Sequence, residues 1–172
     1  YIGNTIKAEE LFKEIYNNQE IEDSSVMKQW AKYQLAVIDK EKGEYNKAIE
    51  VFKELLMEKR ERIDDYARFQ LGESYFLKRD FRQALPYYEK IALTHAPIED
   101  RPFALYQTGV CCLELKQPDR AAEYLTILNK DYPQHKLTRQ GMYLYAEARY
   151  SASREEKWVM TLLWNWKQLL LH

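Results

Sequence analysis

The sequence has few of the residues that interrupt helices, with only five glycines and five prolines among 172 residues. Aromatic residues are common by contrast, at 14 % of the chain, and 14 of them are tyrosines. So few turn-forming residues exclude a disordered or loop-rich chain and predict a helical protein with short connections. The length suits one compact domain or one repeat array.

An excess of charge of either sign is also missing, because 26 lysines and arginines face 27 aspartates and glutamates. Such a chain has no general attraction to phosphate backbones or anionic lipid, so we expect no nucleic-acid partner. Long hydrophobic runs are missing too. The densest, WVMTLLWNWKQLLL at 158–171, is short and interrupted by Asn165, Lys167 and Gln168. We therefore expect no direct insertion into a membrane.

Residues arranged for chemistry are not apparent. The three histidines, His95, His135 and His172, fall in predicted loops or at the terminus, without the spacing of metal ligands. Cys111 and Cys112 are adjacent in a helical segment, which suits small core residues better than a disulfide. No nucleophile elbow or phosphate-binding glycine loop is present. We predict no catalytic activity, no metal and no cofactor.

The sequence does contain a short segment that occurs in three full copies. WAKYQLAVIDK at 30–40 is followed by YARFQLGESYF at 66–76 and FALYQTGVCCL at 103–113, with a fainter copy, GMYLYAEARY, at 141–150. An alanine follows each full copy in the sequence. These alanines, Ala48, Ala84 and Ala121, recur at intervals of 36 and 37 residues. A repeat of this length with helical apolar spacing predicts stacked helix pairs, in which small residues allow close approach.

The repeat resembles the tetratricopeptide repeat family. YQLAVIDKEKGEYNKAIEVF and FQLGESYFLKRDFRQALPYY match its pattern well, and the third copy departs from it at Thr108, Cys112 and Pro118. The resemblance implies an all-α fold, a right-handed superhelical solenoid of antiparallel helix hairpins. We expect helices to begin near Asp23 or Ser24. If only the ring of Tyr88 packs, removing its hydroxyl should matter little.

The resemblance also divides the chain into segments and suggests a location. We expect a single array over 1–172: the second helix of a truncated unit at 1–22, units at 23–60, 61–97 and 98–133, and a divergent unit with an apolar C-terminal helix at 134–172. Since it opens at Tyr1, we expect the chain to belong to a longer protein. The link at Tyr132 and Pro133 resembles bacterial envelope repeat proteins, among them the periplasmic partner of the Tol-Pal system and the lipoprotein of the outer-membrane assembly machine. This favours the bacterial periplasm or envelope slightly over the cytoplasm.

In the family, the first helices face a concave groove, and here they carry two aromatic rows and a row of glutamines. These predicted groove residues are Trp30, Tyr33, Gln34, Tyr66, Phe69, Gln70, Phe103, Tyr106, Gln107 and Tyr143. One interpretation is that the aromatic rings wedge successive first helices together. The other is a binding groove for a protein or peptide segment, because exposed aromatic rings and amides suit an extended backbone. The resulting function is a protein-interaction module of a larger scaffold or adaptor.

A second functional hypothesis rests on the end of the chain, where the last helix is predicted to be apolar on nearly every side. Val159, Trp164, Trp166 and Leu170 would form its outer surface. Because a soluble protein seldom leaves such a surface uncovered, the alternative function is self-assembly into a homo-oligomer, or packing within the protein, through this helix.

Overall fold

The computed structural model describes residues 2–58, 61–94, 100–150 and 153. These residues form eight helices and no strand. The helices are α1 (Ile2–Asn17), α2 (Val26–Glu41), α3 (Tyr45–Met57), α4 (Glu61–Leu77), α5 (Phe81–Ala92), α6 (Arg101–Glu114), α7 (Pro118–Asp131) and α8, which covers the helical residues 138–150. The chain forms two compact units, the first ending at Ile91 and the second beginning at Ala92.

The turns that follow the first helices of the three full repeats share one device. Gly43, Arg79 and Lys116 occupy equivalent positions, and all three have left-handed backbone, with φ of 86°, 61° and 60°. In each case the next residue donates its N–H to a carbonyl five residues earlier, over 2.8 to 2.9 Å. This bond closes the helix end and starts the second helix. At Arg79 and Lys116 the left-handed backbone costs about 1 kcal/mol each, because the position suits glycine better than a residue with a side chain.

The start of α2 lies slightly later than the sequence predicted. Ser25, rather than Asp23 or Ser24, is the N-cap, and its Oγ accepts a hydrogen bond from the Lys28 backbone N–H at 3.2 Å. A serine hydroxyl satisfies one of the N–H groups that lack a partner in the first helical turn. Pro102 and Pro118 lie in the first turns of α6 and α7, as expected for a residue without an N–H.

In the first unit, α1 packs on α2, α2 on α3, and α3 on α4. Ala48 of α3 and Ala84 of α5 are fully buried, as the repeat predicted. Tyr88 of α5 lies against Gly72 of α4, where a Cβ on the glycine would come within 3.0 Å of the ring. The small residues of the repeat are therefore the places where the helices of a hairpin approach each other most closely.

The second unit repeats this packing with other side chains. A Cβ on Gly109 of α6 would meet Leu125 of α7 at 2.8 Å, and a Cβ on Gly141 of α8 would meet Leu128 of α7 at 2.8 Å. Cys111 and Cys112 are completely buried, as predicted for small core residues. Helix hairpins of the predicted kind thus build both units, and the predicted all-α fold class is confirmed.

The condition set for Tyr88, that only its ring packs, is not met. This hydroxyl lies 3.1 Å from Oε1 of Glu73, to which it donates a hydrogen bond between α5 and α4. The side chain of Tyr88 is completely buried, so the hydroxyl has lost the water that would otherwise bond to it.

We therefore expect Tyr88→Phe to lower the free energy of unfolding by about 1 kcal/mol, since one hydrogen bond is lost and the ring is kept. Urea denaturation followed by circular dichroism measures this change. Tyr66→Phe is the matched control, because Tyr66 is 46 % exposed and water replaces any bond of its hydroxyl. Equal stability of Tyr88→Phe and wild type would show that the hydroxyl contributes nothing.

Candidate functional site

Three of the predicted groove residues form an aromatic cluster between α2 and α4 of the first unit. The ring centroid of Trp30 lies 5.3 Å from that of Tyr33 and 5.5 Å from that of Tyr66, and Tyr33 and Tyr66 are 6.5 Å apart. Their interplanar angles of 58° to 82° are those of edge and tilted contacts, which aromatic rings prefer. The cluster joins the first helices of two successive repeats.

The members of this cluster differ in exposure. Tyr33 is only 6 % exposed and also contacts Phe52 of α3, with centroids 5.8 Å apart, so it acts as a wedge in the core. Trp30 is half-buried, and Tyr66 is 46 % exposed. The two interpretations of the aromatic rows thus apply to different residues, since Tyr33 offers a partner little surface while Trp30 and Tyr66 offer a supported ring surface.

Beside the cluster lies a polar network that the sequence did not predict. Gln70 Oε1 accepts a hydrogen bond from Lys40 Nζ at 2.5 Å, and Lys40 Nζ also lies 3.7 Å from Glu73 Oε2. Gln34 and Phe69 are half-buried on the same helices, and Phe69 packs on Tyr88 with centroids 5.8 Å apart. No local signal links Lys40 to Gln70 and Glu73, because the residues lie about one repeat apart in the sequence.

We call Trp30, Gln34, Tyr66, Phe69 and Gln70 the aromatic face of the first unit. Gln34 lies four residues after Trp30, and Phe69 and Gln70 lie three and four residues after Tyr66, so on each helix they share the side of the aromatic residue that precedes them. The face combines partly exposed rings with amide groups, as the groove hypothesis requires.

In the second unit, the corresponding predicted residues are Phe103, Tyr106 and Gln107 of α6, all half-buried, and Tyr143 of α8, which is 72 % exposed. Phe103 contacts the His135 ring at 5.1 Å between centroids, and Lys136 Nζ lies 4.9 Å from the centroid of Phe103. His135, placed in a predicted loop, thus packs against an aromatic ring.

The remaining site predictions concern the assembly surface, metal binding and membrane insertion. Val159, Trp164, Trp166 and Leu170, the predicted assembly surface, lie outside the described residues, and self-assembly stays a prediction. In the part of the chain that the structure describes, no group of three or more histidines, cysteines or carboxylates is placed to hold a metal ion. None of the described helices is both long enough and apolar enough to cross a membrane.

Repeated helix hairpins, each closed by small residues and a left-handed turn, define a helical-repeat protein of the kind that presents side chains along a row of first helices. Two tetratricopeptide repeat family models match, one over residues 66–95 and 103–135 and the other over residues 31–61. The chain belongs to the tetratricopeptide repeat family. The search of curated protein sequences gives no match. The envelope localisation, which rests on one link and on the repeat length, stays a prediction.

Several solved structures are similar to this chain. The nearly identical TPR-like repeats of a Podosopora anserina kinesin light chain have a TM-score of 0.70 at 13 % identity, covering 90 % of this chain and 82 % of that one. A tetratricopeptide repeat protein from Parabacteroides merdae has a TM-score of 0.69 at 15 % identity, with 94 % and 61 % covered. A chain of the CopN–Scc3 complex has a TM-score of 0.59 at 20 % identity, with 73 % and 69 % covered. At these identities the likeness shows the fold.

Proposed function

We propose that this protein is a non-catalytic interaction module that binds a peptide segment of a protein partner on the aromatic face of the first unit. The observation that carries the proposal is the position of Tyr66, which is 46 % exposed yet rests on the ring of Trp30. A ring held in place by a second ring loses little conformational entropy when a partner packs on it. Tyrosine and tryptophan are also the residue types enriched among binding hot spots.

The polar network beside the rings supports the same function. Because Lys40 engages Gln70 through its Oε1, the bond orients the amide of Gln70 next to the rings. An amide that is held in one orientation donates to a peptide carbonyl, whatever side chain that peptide carries. Rings would thus supply contact area and the amides would align an extended backbone.

The family and a structural neighbour support the general class. Tetratricopeptide repeats are in general non-catalytic scaffolds, and one neighbour is part of a complex of two proteins, CopN and Scc3. The alternative, self-assembly through the C-terminal helix, depends on residues outside those that the structure describes. It would be distinguished by the oligomeric state of the chain in light scattering.

A partner captured through the aromatic face tests the proposal. A photo-crosslinking amino acid at Tyr66 is expected to capture a protein that the same probe at Met57, which is 79 % exposed on α3, does not capture. We then expect Tyr66→Ala to weaken binding of that purified protein by about 1–3 kcal/mol, or roughly 5- to 150-fold, as for a hot spot.

Thermal unfolding of Tyr66→Ala has to accompany the binding measurement, because the ring also contacts Tyr33. Met57→Ala is the matched control and should leave both affinity and melting temperature unchanged. If Tyr66→Ala binds the captured protein as tightly as wild type, the aromatic face does not carry the interaction.

A further inference from the structure

Two tyrosines lie in a cluster formed by α3, α4 and α5, on the side of the repeat away from the aromatic face. Tyr75 of α4 and Tyr87 of α5 stack with centroids 5.8 Å apart and an interplanar angle of 11°. Above them, Nζ of Lys53 from α3 lies 5.5 Å from the centroid of Tyr75. A hydrogen bond with Tyr75 raises the pKa of Lys53, and burial raises the pKa of Tyr87. An ammonium group thus lies over one of two stacked phenol rings.

The same position one repeat earlier is formed by α1, α2 and α3, and neither of the two stacked tyrosines has a counterpart there. Asp39 and Val51 lie 36 residues before Tyr75 and Tyr87 and so stand in their places. Helix α1 aligns with α3 at an interval of 40 residues, Ala8 with Ala48 and Phe12 with Phe52, so Lys13 stands where Lys53 does. Asp39, Val51 and Lys13 line a cleft of about 200 Å³, together with Leu35 and Ala36 of α2, Tyr16 of α1, and the charged side chains of Glu9, Lys32, Lys47 and Glu54. The cation is retained while the two stacked rings have no counterpart, and a cleft remains open beside Tyr16.

The cleft has an apolar floor and an ionised rim. Lys13 and Lys42 donate hydrogen bonds to the Glu9 carboxylate at 2.8 and 2.6 Å, and these bonds lower its pKa to about 2. Lys47 donates to Asp39 at 2.9 Å. Lys32 Nζ lies 3.0 Å from Glu54 Oε2. Each of the three carboxylates that line the cleft is therefore partnered by a lysine, and such a pair can accept or donate a bond to a hydroxyl at the mouth.

The size of the cleft fits one aromatic ring. An apolar cavity of about 150 Å³ is known to accommodate benzene, so about 200 Å³ leaves room for a phenol. The cleft is also separate from the aromatic face, because Leu35 and Asp39 lie on the side of α2 opposite Trp30 and Gln34 at 3.6 residues per turn.

We propose that this cleft between α1 and α3 binds a tyrosine side chain of a protein partner, in the place that Tyr75 and Tyr87 occupy in the following repeat. The ring would rest on Leu35, Ala36 and Val51, with Lys13 above it as Lys53 stands above Tyr75. The hydroxyl would bond within the ionised rim, which is the reason that tyrosine fits better than phenylalanine. This surface is additional to the aromatic face, so it does not depend on the function proposed there.

A titration of the isotope-labelled chain with p-cresol, which is the tyrosine side chain alone, tests the proposal by nuclear magnetic resonance. We expect saturable shifts of the backbone amides of Leu35, Ala36 and Val51, with a dissociation constant on the order of 1 mM. Toluene, which lacks the hydroxyl, should bind about fivefold more weakly, because the bond to the charged rim is absent. Absence of shifts at these amides up to about 20 mM p-cresol would overturn the proposal.

A variant in which a side chain fills the cleft tests whether p-cresol binds there. Val51→Tyr copies the residue found at the equivalent position of the next repeat, and it should weaken p-cresol binding at least about tenfold while the melting temperature is kept or raised. Met57→Tyr adds the same side chain at a site on α3 that is exposed, and it should bind p-cresol as wild type does. Unchanged binding by a folded Val51→Tyr would show that the probe binds elsewhere.

Two further ligands distinguish a protein partner from a small-molecule ligand. N-acetyl-tyrosine N-methylamide represents tyrosine within a protein, and free tyrosine represents a small-molecule ligand. The proposal expects the capped form to bind at least as tightly as p-cresol; tighter binding of free tyrosine than of the capped form would contradict a protein partner. If Val51→Tyr does not fold, the location of the wild-type shifts and the comparison of p-cresol with toluene decide the question.

Discussion

Truncating Tyr88 to alanine is expected to lower the free energy of unfolding by about 3–5 kcal/mol, the range for loss of a large aromatic side chain from a core. Tyr88 is completely buried, and its ring contacts Phe69 and Phe76 of α4 at centroid distances of 5.8 and 6.4 Å. It also covers Gly72, which has no side chain to fill the space that the ring would leave. The cavity would therefore collapse poorly.

Chemical denaturation followed by circular dichroism measures the effect, with Tyr143→Ala as the control. Tyr143 is the same residue type, is 72 % exposed, and should change stability by no more than about 0.5 kcal/mol. The Tyr88→Phe variant separates the two contributions of the side chain. If Tyr88→Ala costs no more than Tyr88→Phe, the ring is not a core element and the hairpin of α4 and α5 is held by other contacts.

Gly109→Leu should have the second largest effect, lowering the free energy of unfolding by about 3 kcal/mol through overpacking. A Cβ at residue 109 would lie 2.8 Å from both Cγ and Cδ2 of Leu125, and Leu125 is completely buried. Leucine is a better helix former than glycine by about 1 kcal/mol at most, so the clash outweighs the gain in propensity.

A double-mutant cycle with Leu125→Ala tests the cause of this loss. Leu125→Ala alone leaves a cavity and costs about 2–5 kcal/mol, but the leucine at residue 109 would occupy that cavity. The double variant should therefore be at least about 1 kcal/mol more stable than the sum of the two single changes predicts. Additive effects would mean that residues 109 and 125 do not meet across the hairpin.

The predictable part of the candidate site was its composition. The aromatic and glutamine rows recur with the repeat, so their placement on the first helices followed from periodicity. Their exposure did not, because it depends on which neighbouring helix covers each ring. Tyr33 is buried against Phe52, whereas Tyr66, one row and one repeat away, remains half-exposed. The link of Lys40 with Gln70 and Glu73 joins two helices, and no pattern within one repeat shows it.

By itself, the sequence determined the helices, the repeat and the close contacts of its small residues, since these follow from local periodicity and from the volume of Ala48, Ala84, Gly72 and Gly109. The tertiary structure decided which side chains pack, pair or remain open. Tyr88 reaches Glu73, and the position filled by Tyr75 and Tyr87 is an open cleft beside Asp39 and Val51. Such outcomes depend on the size and charge of side chains from three helices at once, and those helices meet only when the chain has folded.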